Sequence, residues 1–203
     1  MNESIFISAV ILAAGESKRM GSPKLLMTWN DKTIIEETVD NYTGSAVNET
    51  IVVIGNKAQE IEKVLGERDV ILVTNPRYTK GMSSSIITGV EFVNANARGI
   101  MLALADQPEV TSKTINKLIG TFSRLDKGII VPVYDGERGN PVIFDTKYKK
   151  ELLALKGDKG GRDIVNLHPE DVSEVLADES VKADIDTPED YKNQREKLDK
   201  STD

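Results

Sequence analysis

The sequence has no cysteine and only one histidine in 203 residues. Without cysteine there is no disulfide framework, no thiolate zinc site and no cysteine nucleophile. The single histidine, His168, lies in a Leu-His-Pro-Glu context that is typical of a loop. The sequence therefore gives little support to a histidine-based metal site or to a Ser-His-Asp triad.

The chain also lacks an excess of positive charge, because 26 Lys and Arg residues stand against 33 Asp and Glu residues, for a net charge of −7. Binding a polyanion requires a basic face, so nucleic acid is excluded as the main partner. A nucleotide is not excluded. A local cluster of cations, together with a divalent metal, can hold a triphosphate on an acidic protein.

Long hydrophobic runs are missing as well. The first apolar run, residues 5–14, is too short to span a bilayer and has no cationic region before it. We expect no signal peptide, no membrane segment and a cytoplasmic location. The length predicts one domain over residues 1–203, with a charged tail from about residue 194 to residue 203 that frays.

Short apolar runs rich in Val and Ile alternate with amphipathic segments along most of the chain. Such runs are typical of strands buried on both faces, and the alternation predicts parallel strands with helices on both sides. We predict a three-layer α/β/α, Rossmann-like domain with a mostly parallel sheet. The predicted strands cover residues 5–14, 51–55, 70–73, 99–105, 128–133 and 172–176, and a turn near residue 136 precedes a further strand.

A loop rich in small and cationic residues follows the first strand. Gly15 is followed within ten residues by Ser17, Lys18, Arg19, Gly21, Ser22 and Lys24. Small residues let the backbone approach a ligand, and clustered cations attract anions, so this loop resembles a phosphate cradle. It is neither a GxGxxG loop, which is absent, nor a Walker loop, whose Lys directly follows its second Gly.

Carboxylates follow two other segments. Asp106 comes directly after the apolar run 99–105, which places it at the carboxyl edge of the predicted sheet, where open α/β folds bind ligands. A carboxylate there suits Mg²⁺. We expect Asp184 and Asp186 at the end of a strand, where two like charges cost stability unless a cation compensates them.

The pattern AAGxSxRMGxPK in residues 13–24 resembles the signature loop of the MobA-like nucleotidyltransferases. Within that family it is most similar to the molybdenum cofactor cytidylyltransferases, because the guanylyltransferase branch usually has AGG where this chain has AAG. The resemblance covers nearly the whole chain and implies the nucleotide-diphospho-sugar transferase type of fold. It includes ADQP at residues 105–108 and DIDTPED at residues 184–190.

The resemblance assigns residues to four roles: metal binding, catalysis, nucleotide binding and acceptor binding. Asp106 and Asp186 would hold Mg²⁺, with Asp184 a weaker candidate, and Arg19, Lys24 and Asp106 would be catalytic. The nucleotide would be bound by Ala13, Ala14, Gly15, Ser17, Arg19, Gly21, Lys24, Gly81, Ser83 and Ser84. The acceptor would be bound by Arg138, Gly139, Asn140, Pro141, Lys159, Gly160 and Arg162.

The chain departs from the family pattern at two acceptor positions. Asn140 stands where many relatives have His, and Gly161 replaces the usual Ala of the GDxGAR segment.

Two predicted binding segments also have a purely structural interpretation. Helix capping alone explains the serines after Gly81, and a solvated loop explains the glycine-rich segment 156–162.

By resemblance, the chain transfers CMP from CTP to the phosphate of molybdopterin, releases pyrophosphate, and supplies a molybdenum hydroxylase. Two other interpretations stay open. The same chemistry could use GTP, or a sugar or polyol phosphate as acceptor. A protein of another class, a regulator or chaperone that binds nucleotide or cofactor without turnover, would release no pyrophosphate.

Overall fold

In a computed structural model, residues 5–201 are described, with side chains up to residue 198. Eight strands of this part of the chain form one sheet and two form a small ribbon. The strands are β1 Ile7–Ala13, β2 Thr28–Trp29, β3 Lys32–Thr33, β4 Glu49–Ile54, β5 Ile71–Thr74, β6 Gly99–Leu104, β7 Ile129–Tyr134, β8 Glu137–Arg138, β9 Val142–Asp145 and β10 Val172–Leu176.

The sheet has the order β10-β7-β9-β6-β1-β4-β5, and β8 pairs with β7. β1 pairs in parallel with both β4 and β6, so that Leu12 lies opposite Val53 and Leu104. β9 is antiparallel between β6 and β7 and places Val142 opposite Leu102. The carboxyl ends of β1 and β6 and the start of β9 therefore meet at one edge of the sheet.

Helices cover both faces of the sheet. They are α1 Ile34–Thr43, α2 Ala58–Leu65, α3 Met82–Glu91, α4 Ser112–Arg124, α5 Lys149–Leu153, α6 Gly161–Leu167 and α7 Pro188–Ser201. Buried residues of α1, α2 and α4 share one hydrophobic cluster, and those of α3, α5 and α6 share the other. The prediction of a single three-layer α/β domain with a mostly parallel sheet is confirmed.

Successive side chains of β1 point to opposite faces of the sheet and pack into two separate hydrophobic clusters. Ile7, Ala9 and Ile11 pack into the cluster with α1 and α4, whereas Val10 packs into the cluster with α3. α3 comes very close to the sheet at Gly89, where a Cβ atom would lie 2.3 Å from Cγ1 of Val10. A glycine is therefore required at this contact.

Local signals were accurate at the start of α1 and less so elsewhere. Thr33 and Glu36 form the predicted capping box. The prediction of a strand that ends at Asp184 and Asp186 is wrong. The chain there forms a 3-10 helix, Glu179–Lys182, followed by a loop. α7 continues to Ser201 and Gln194 is buried, and fraying of the tail from residue 194 stays a prediction; residues 202 and 203 lie outside the described residues. No helix between residues 5 and 201 is long and apolar enough to cross a membrane.

Candidate active site

The loop after β1 folds back on itself at the edge of the sheet. Ser17 and Gly21 have positive φ angles of 53° and 67°, and the amide of Met20 donates to the carbonyl of Ser17 over 3.0 Å. A short 3-10 helix, Lys24–Leu26, follows, and it is anchored by the buried side chain of Leu25. This anchor fixes the position from which Lys24 extends.

Four charged side chains meet beside this loop. Nζ of Lys24 lies 2.5 Å from Oδ2 of Asp106 and 3.0 Å from Oδ1 of Asp186. The other carboxylate oxygen of Asp186, Oδ2, forms an ion pair with Nη2 of Arg19 at 2.8 Å. The side chain of Lys24 is only 12% exposed, whereas that of Arg19 is 68% exposed. We call Arg19, Lys24, Asp106 and Asp186 the charged centre.

The carboxylates control the protonation of the buried ammonium group. Burial by itself lowers the pKa of Lys24, but the charges and hydrogen bonds of Asp106 and Asp186 outweigh burial and raise the pKa above its ordinary value. Lys24 is therefore a fixed positive charge at neutral pH.

A third carboxylate, Asp184, lies behind the charged centre. Burial and the charges of Asp106 and Asp186 raise the pKa of Asp184 to about 6, against the opposing effects of a hydrogen bond from Gln107 and the charge of Lys24. The amide nitrogen of Gln107 donates to Oδ1 of Asp184 over 2.5 Å.

Asp186 reaches the centre from a loop and not from a strand. The amide of Ile185 donates to the carbonyl of Asp106 over 3.0 Å, and the side chain of Ile185 is fully buried. On the other side, Oδ2 of Asp190 accepts from the amides of Asp186 and Thr187, at the start of α7. These contacts hold the backbone of Asp186 without a strand.

A cleft of about 360 Å³ opens in front of the charged centre. Its lining includes most of the predicted nucleotide and metal residues: Ala13, Ala14, Gly15, Ser17, Arg19, Lys24, Gly81, Asp106 and Asp186. Gly21, Ser83 and Ser84 were also predicted and are not in the lining. We call this space the large cleft.

The serines of α3 do not cap the helix, and their nucleotide-binding role stays a prediction. None caps the helix through its side chain, because the N-cap is Gly81, and the hydroxyl of Ser84 donates back to the carbonyl of Gly81 over 2.9 Å. Ser83 is buried. Ser85 faces the large cleft, and its hydroxyl accepts from the side chain of Asn75 at 3.0 Å.

Sequence reasoning also missed Tyr78, Met82 and Asp158 in the lining, whereas Lys18 belongs to the cationic loop that it identified. Asp158 belongs to the glycine-rich segment 156–162, which packs against the start of α3. A Cβ atom at Gly81 would lie 2.5 Å from Oδ1 of Asp158, and φ of Gly81 is 99°. The positive φ angle and the close contact together explain why residue 81 is a glycine. Asp158 is found only from this contact, which the sequence does not show.

A smaller pocket of about 80 Å³ adjoins the large cleft and shares Leu12, Met82 and Leu104 with it. Its wall is mainly apolar. The remaining lining residues are Ile86, Leu102, Ala103, Val131, Arg138, Gly139, Asn140, Val142, Phe144, Gly161, Arg162 and Val165.

Two arginines line the small pocket and differ in their surroundings. Nε of Arg138 lies 2.9 Å from Oε1 of Glu174, and its Nη1 donates to Asn166 over 3.3 Å. Arg162, in the first turn of α6, forms no ion pair or hydrogen bond through its side chain with any residue between 5 and 201. It is thus available to an anion.

Three predicted acceptor residues lie outside this lining. Pro141 follows a cis peptide bond and leads into β9, and Gly160 is the N-cap of α6. Nζ of Lys159 pairs with Oδ2 of Asp163 at 3.2 Å on the exposed face of α6. Residues 161 and 162, expected in a flexible loop, begin this helix.

The donor set suits a hard divalent cation that keeps its water and phosphate ligands. In the part of the chain that the structure describes, no three His, Cys, Asp or Glu side chains surround a common metal position. Asp106 and Asp186, however, both contact the same Nζ atom, so their oxygens are close together. Mg²⁺ commonly takes only one or two protein carboxylates, so this pair fits.

An α/β domain with a cationic loop and a pair of carboxylates at the carboxyl edge of its sheet has the arrangement of an enzyme that acts on phosphorylated nucleotides. Comparison with known families agrees. The chain belongs to the MobA-like NTP transferase domain family, whose model matches residues 9–173. It is an enzyme of the nucleotidyltransferase type. The match includes Asp106 and ends before Asp186.

Curated relatives cover nearly the full chain at modest identity. The chain is 27% identical to nicotine blue oxidoreductase of Paenarthrobacter nicotinovorans, over 90% of this chain and 93% of that protein. It is 25% identical to molybdenum cofactor cytidylyltransferase of Escherichia coli K12, over 94% and 96%. It is 28% identical to a probable molybdenum cofactor guanylyltransferase of Bacillus cereus AH820, over 88% of each.

Among solved structures, Rv0371c from Mycobacterium tuberculosis H37Rv superposes with a TM-score of 0.85 at 30% identity, over 96% of this chain and 100% of that one. A structure of Rv0371c in complex with manganese gives a TM-score of 0.80 at 28% identity, over 94% and 98%.

Proposed function

We propose that this enzyme transfers the nucleotidyl group of CTP to the phosphate of a molybdopterin-type cofactor and releases pyrophosphate. The observation that carries the proposal is the charged centre, which lies in the cleft that adjoins the small pocket. A nucleotide in the cleft and an acceptor in the pocket would present their phosphates to each other there. The names of the relatives in Escherichia coli and Bacillus support a molybdenum cofactor substrate, and they include both cytidylyl and guanylyl transfer.

The reaction needs alignment and charge compensation more than covalent help. An oxygen of the acceptor's phosphate attacks the α-phosphorus of the nucleotide, and the bond from that phosphorus to the α–β bridging oxygen breaks. Pyrophosphate leaves with the bonding electron pair. A phosphate monoester is already largely ionised at neutral pH, so no general base is required.

Within this reaction the cations have separate tasks. Lys24, buried and fixed by two carboxylates, would stabilise negative charge that develops at the α-phosphate. Arg19, which is exposed and held on one side by Asp186, would bind the outer phosphates. Asp106 and Asp186 would hold Mg²⁺, which supplies charge neutralisation to the phosphate oxygens when bound. The manganese complex of Rv0371c supports a divalent metal in a related protein.

The small pocket favours a heterocyclic acceptor over a sugar or polyol phosphate. Aliphatic side chains and the ring of Phe144 form most of its wall, and such a wall offers few partners to a chain of hydroxyl groups. Arg162 supplies a positive charge at the same pocket that has no partner in the part of the chain that the structure describes. A flat, partly apolar ring system that carries a phosphate fits this combination. A molybdenum hydroxylase is the proposed recipient of the product.

The test is pyrophosphate release from each of the four ribonucleoside triphosphates with Mg²⁺ and molybdenum cofactor. We expect release with CTP that depends on the acceptor. Release with GTP alone would move the specificity to the guanylyl branch. If none of the four nucleotides gives pyrophosphate, although nucleotide binding is measurable, the proposal is contradicted and a binding protein is favoured.

A further inference from the structure

The segment that carries Asp184 and Asp186 belongs to no strand or helix, and side chains from elsewhere hold it. The amide nitrogen of Gln194 donates to the carbonyls of Ala183 and Asp184 over 3.2 and 3.4 Å. The amide of Ile185 donates to the carbonyl of Asp106. The position of the charged centre thus depends on contacts that are not part of a regular element.

Gln107 makes two further contacts, one to this segment and one to the 3-10 helix Glu179–Lys182 that precedes it. It follows Asp106 directly, and its side chain is buried, with 2% of the residue exposed. Its Nε2 donates to the carbonyl of Val181 over 3.2 Å and to Oδ1 of Asp184 over 2.5 Å. A side-chain amide has two N–H donors, so both are used on the segment 181–184.

The carbonyl of Val181 also binds the wall of the small pocket. It accepts from the amide of Asn140 at 2.8 Å. The neighbouring Gly139 permits this approach, because a Cβ atom there would lie 2.3 Å from the same carbonyl oxygen. Through two hydrogen bonds, this one oxygen atom links Gln107, in the turn after β6, to the loop before β9.

We propose that Gln107 is a positioning residue that holds the segment of Asp184 and Asp186 against the acceptor loop, through the shared carbonyl of Val181. The proposal rests on the proposed function, since that function assigns one segment to the nucleotide and metal and the other to the acceptor. In this arrangement, Gln107 sets the distance between the two reacting phosphates without touching either. A merely space-filling Gln107 would contribute packing alone.

Amide hydrogen exchange tests the positioning without any ligand. Gln107→Met keeps the volume and removes both donors; Gln59→Met, on the exposed face of α2, is the matched control. We expect the amides of Asn140 and Ile185 to exchange at least about tenfold faster in Gln107→Met, while amides of β1 keep their protection. Unchanged exchange at Asn140, or an equal increase in β1, would overturn the proposal.

Kinetics test the consequence. For Gln107→Met we expect kcat/KM for the molybdenum cofactor to fall by more than about tenfold, while the Kd of Mg²⁺-CTP measured without acceptor stays within about threefold. Arg19 and Lys24 lie on the loop after β1, and Lys24 keeps its ion pair with Asp106 in this variant, so we expect the cations assigned to the nucleotide to stay in place. An equal loss of nucleotide affinity, or no change in either constant, would contradict the positioning role.

A second variant disturbs the contact at the carbonyl of Val181 from the side of the acceptor loop. Gly139→Ala places a methyl group against the carbonyl of Val181, and Gly120→Ala, in α4 with no close neighbour, is its control. We expect Gly139→Ala to show the same pattern of exchange and kinetics, and the double variant with Gln107→Met to cost less than the sum of the two. Additive effects would overturn the coupling. If the wild type shows no transfer, the proposed function fails, and the exchange experiment still decides the positioning role.

Discussion

Nζ of Lys24 lies 2.5 Å from Oδ2 of Asp106, although 82 positions separate the two residues in the sequence. The contact joins the loop after β1 to the turn after β6, which are adjacent because these strands pair in parallel. Asp186 joins them from a position 162 residues beyond Lys24. Lys24 is thus the cation that compensates two carboxylates, and the same carboxylates keep it charged.

This pairing predicts the effect of removing either partner on catalysis. We expect Lys24→Ala and Asp106→Ala each to lower kcat by about 10² to 10³-fold, the scale for a lost preorganised contact to the transition state. Pyrophosphate release at saturating substrates measures the effect. Lys63→Ala, an exposed lysine on α2, serves as the control. Activity of either site variant within about threefold of wild type would contradict the assignment.

The guanidinium of Arg162, which has no ion-pair partner among the described residues, predicts a separate effect on the acceptor. Arg162→Gln should raise the KM for the molybdenum cofactor by about tenfold and leave the KM for CTP unchanged, because only the small pocket loses a charge. Arg124→Gln, an exposed change on α4, is the matched control. A rise in the KM for CTP of equal size would show that Arg162 binds the nucleotide.

The close approach of α3 to the sheet predicts a stability difference between two glycines. Gly89→Ala should lower the free energy of unfolding by about 1–3 kcal/mol, because the added methyl group meets Val10 and Val53. Gly120→Ala should leave stability unchanged or raise it by up to about 1 kcal/mol, since alanine is the better helix former. Urea denaturation measures both. Equal midpoints for the two variants would contradict the packing account.

Asp171 predicts a pH-dependent contribution to stability. Burial alone raises its pKa, but hydrogen bonds from Lys147, Tyr148 and the backbone of Gly128 outweigh burial and lower the pKa to about 2. The contribution is therefore present above the unfolded pKa of about 3.9 and is lost as the pH falls toward 2.

We expect Asp171→Asn to unfold with about 1–2 kcal/mol less free energy than wild type at pH 7, a difference that shrinks between about pH 4 and pH 2. Chemical denaturation across this range measures it, with Asp69→Asn on the exposed loop after α2 as the control. A difference that stays constant down to pH 2 would show that ionisation of Asp171 is not the cause.

The sequence predicted the fold and the first half of the site because these depend on local signals. Buried parallel strands appear as short apolar runs, and the residues that follow such strands lie at the carboxyl edge of the sheet. Lys24 and Asp106 could be located in this way. Their contact with each other, and with Asp186, could not be derived from spacing, since the order of the strands decides which loops meet.

Other features depended on tertiary contacts. The phase of α3, fixed by the packing of Gly89 on β1, determines that Ser85 and not Ser83 faces the large cleft. Asp186 was expected after a strand, but hydrogen bonds to Asp106 and Asp190 hold its loop instead. The contacts of Gln107 could not be derived from the ADQP motif, because its two partners, the carbonyl of Val181 and Oδ1 of Asp184, lie 74 and 77 positions further along the chain.

Labelled CTP tests most directly whether the enzyme transfers the nucleotidyl group, because the label shows where each end of the triphosphate goes. Wild-type enzyme is incubated with Mg²⁺, molybdenum cofactor and CTP that is radiolabelled at either the α- or the γ-phosphate. We expect the α label to appear in the cofactor and the γ label in pyrophosphate, and both signals to fall in Lys24→Ala. Transfer of the γ label to the cofactor, or its release as orthophosphate, would place the attack at another phosphorus and contradict the account.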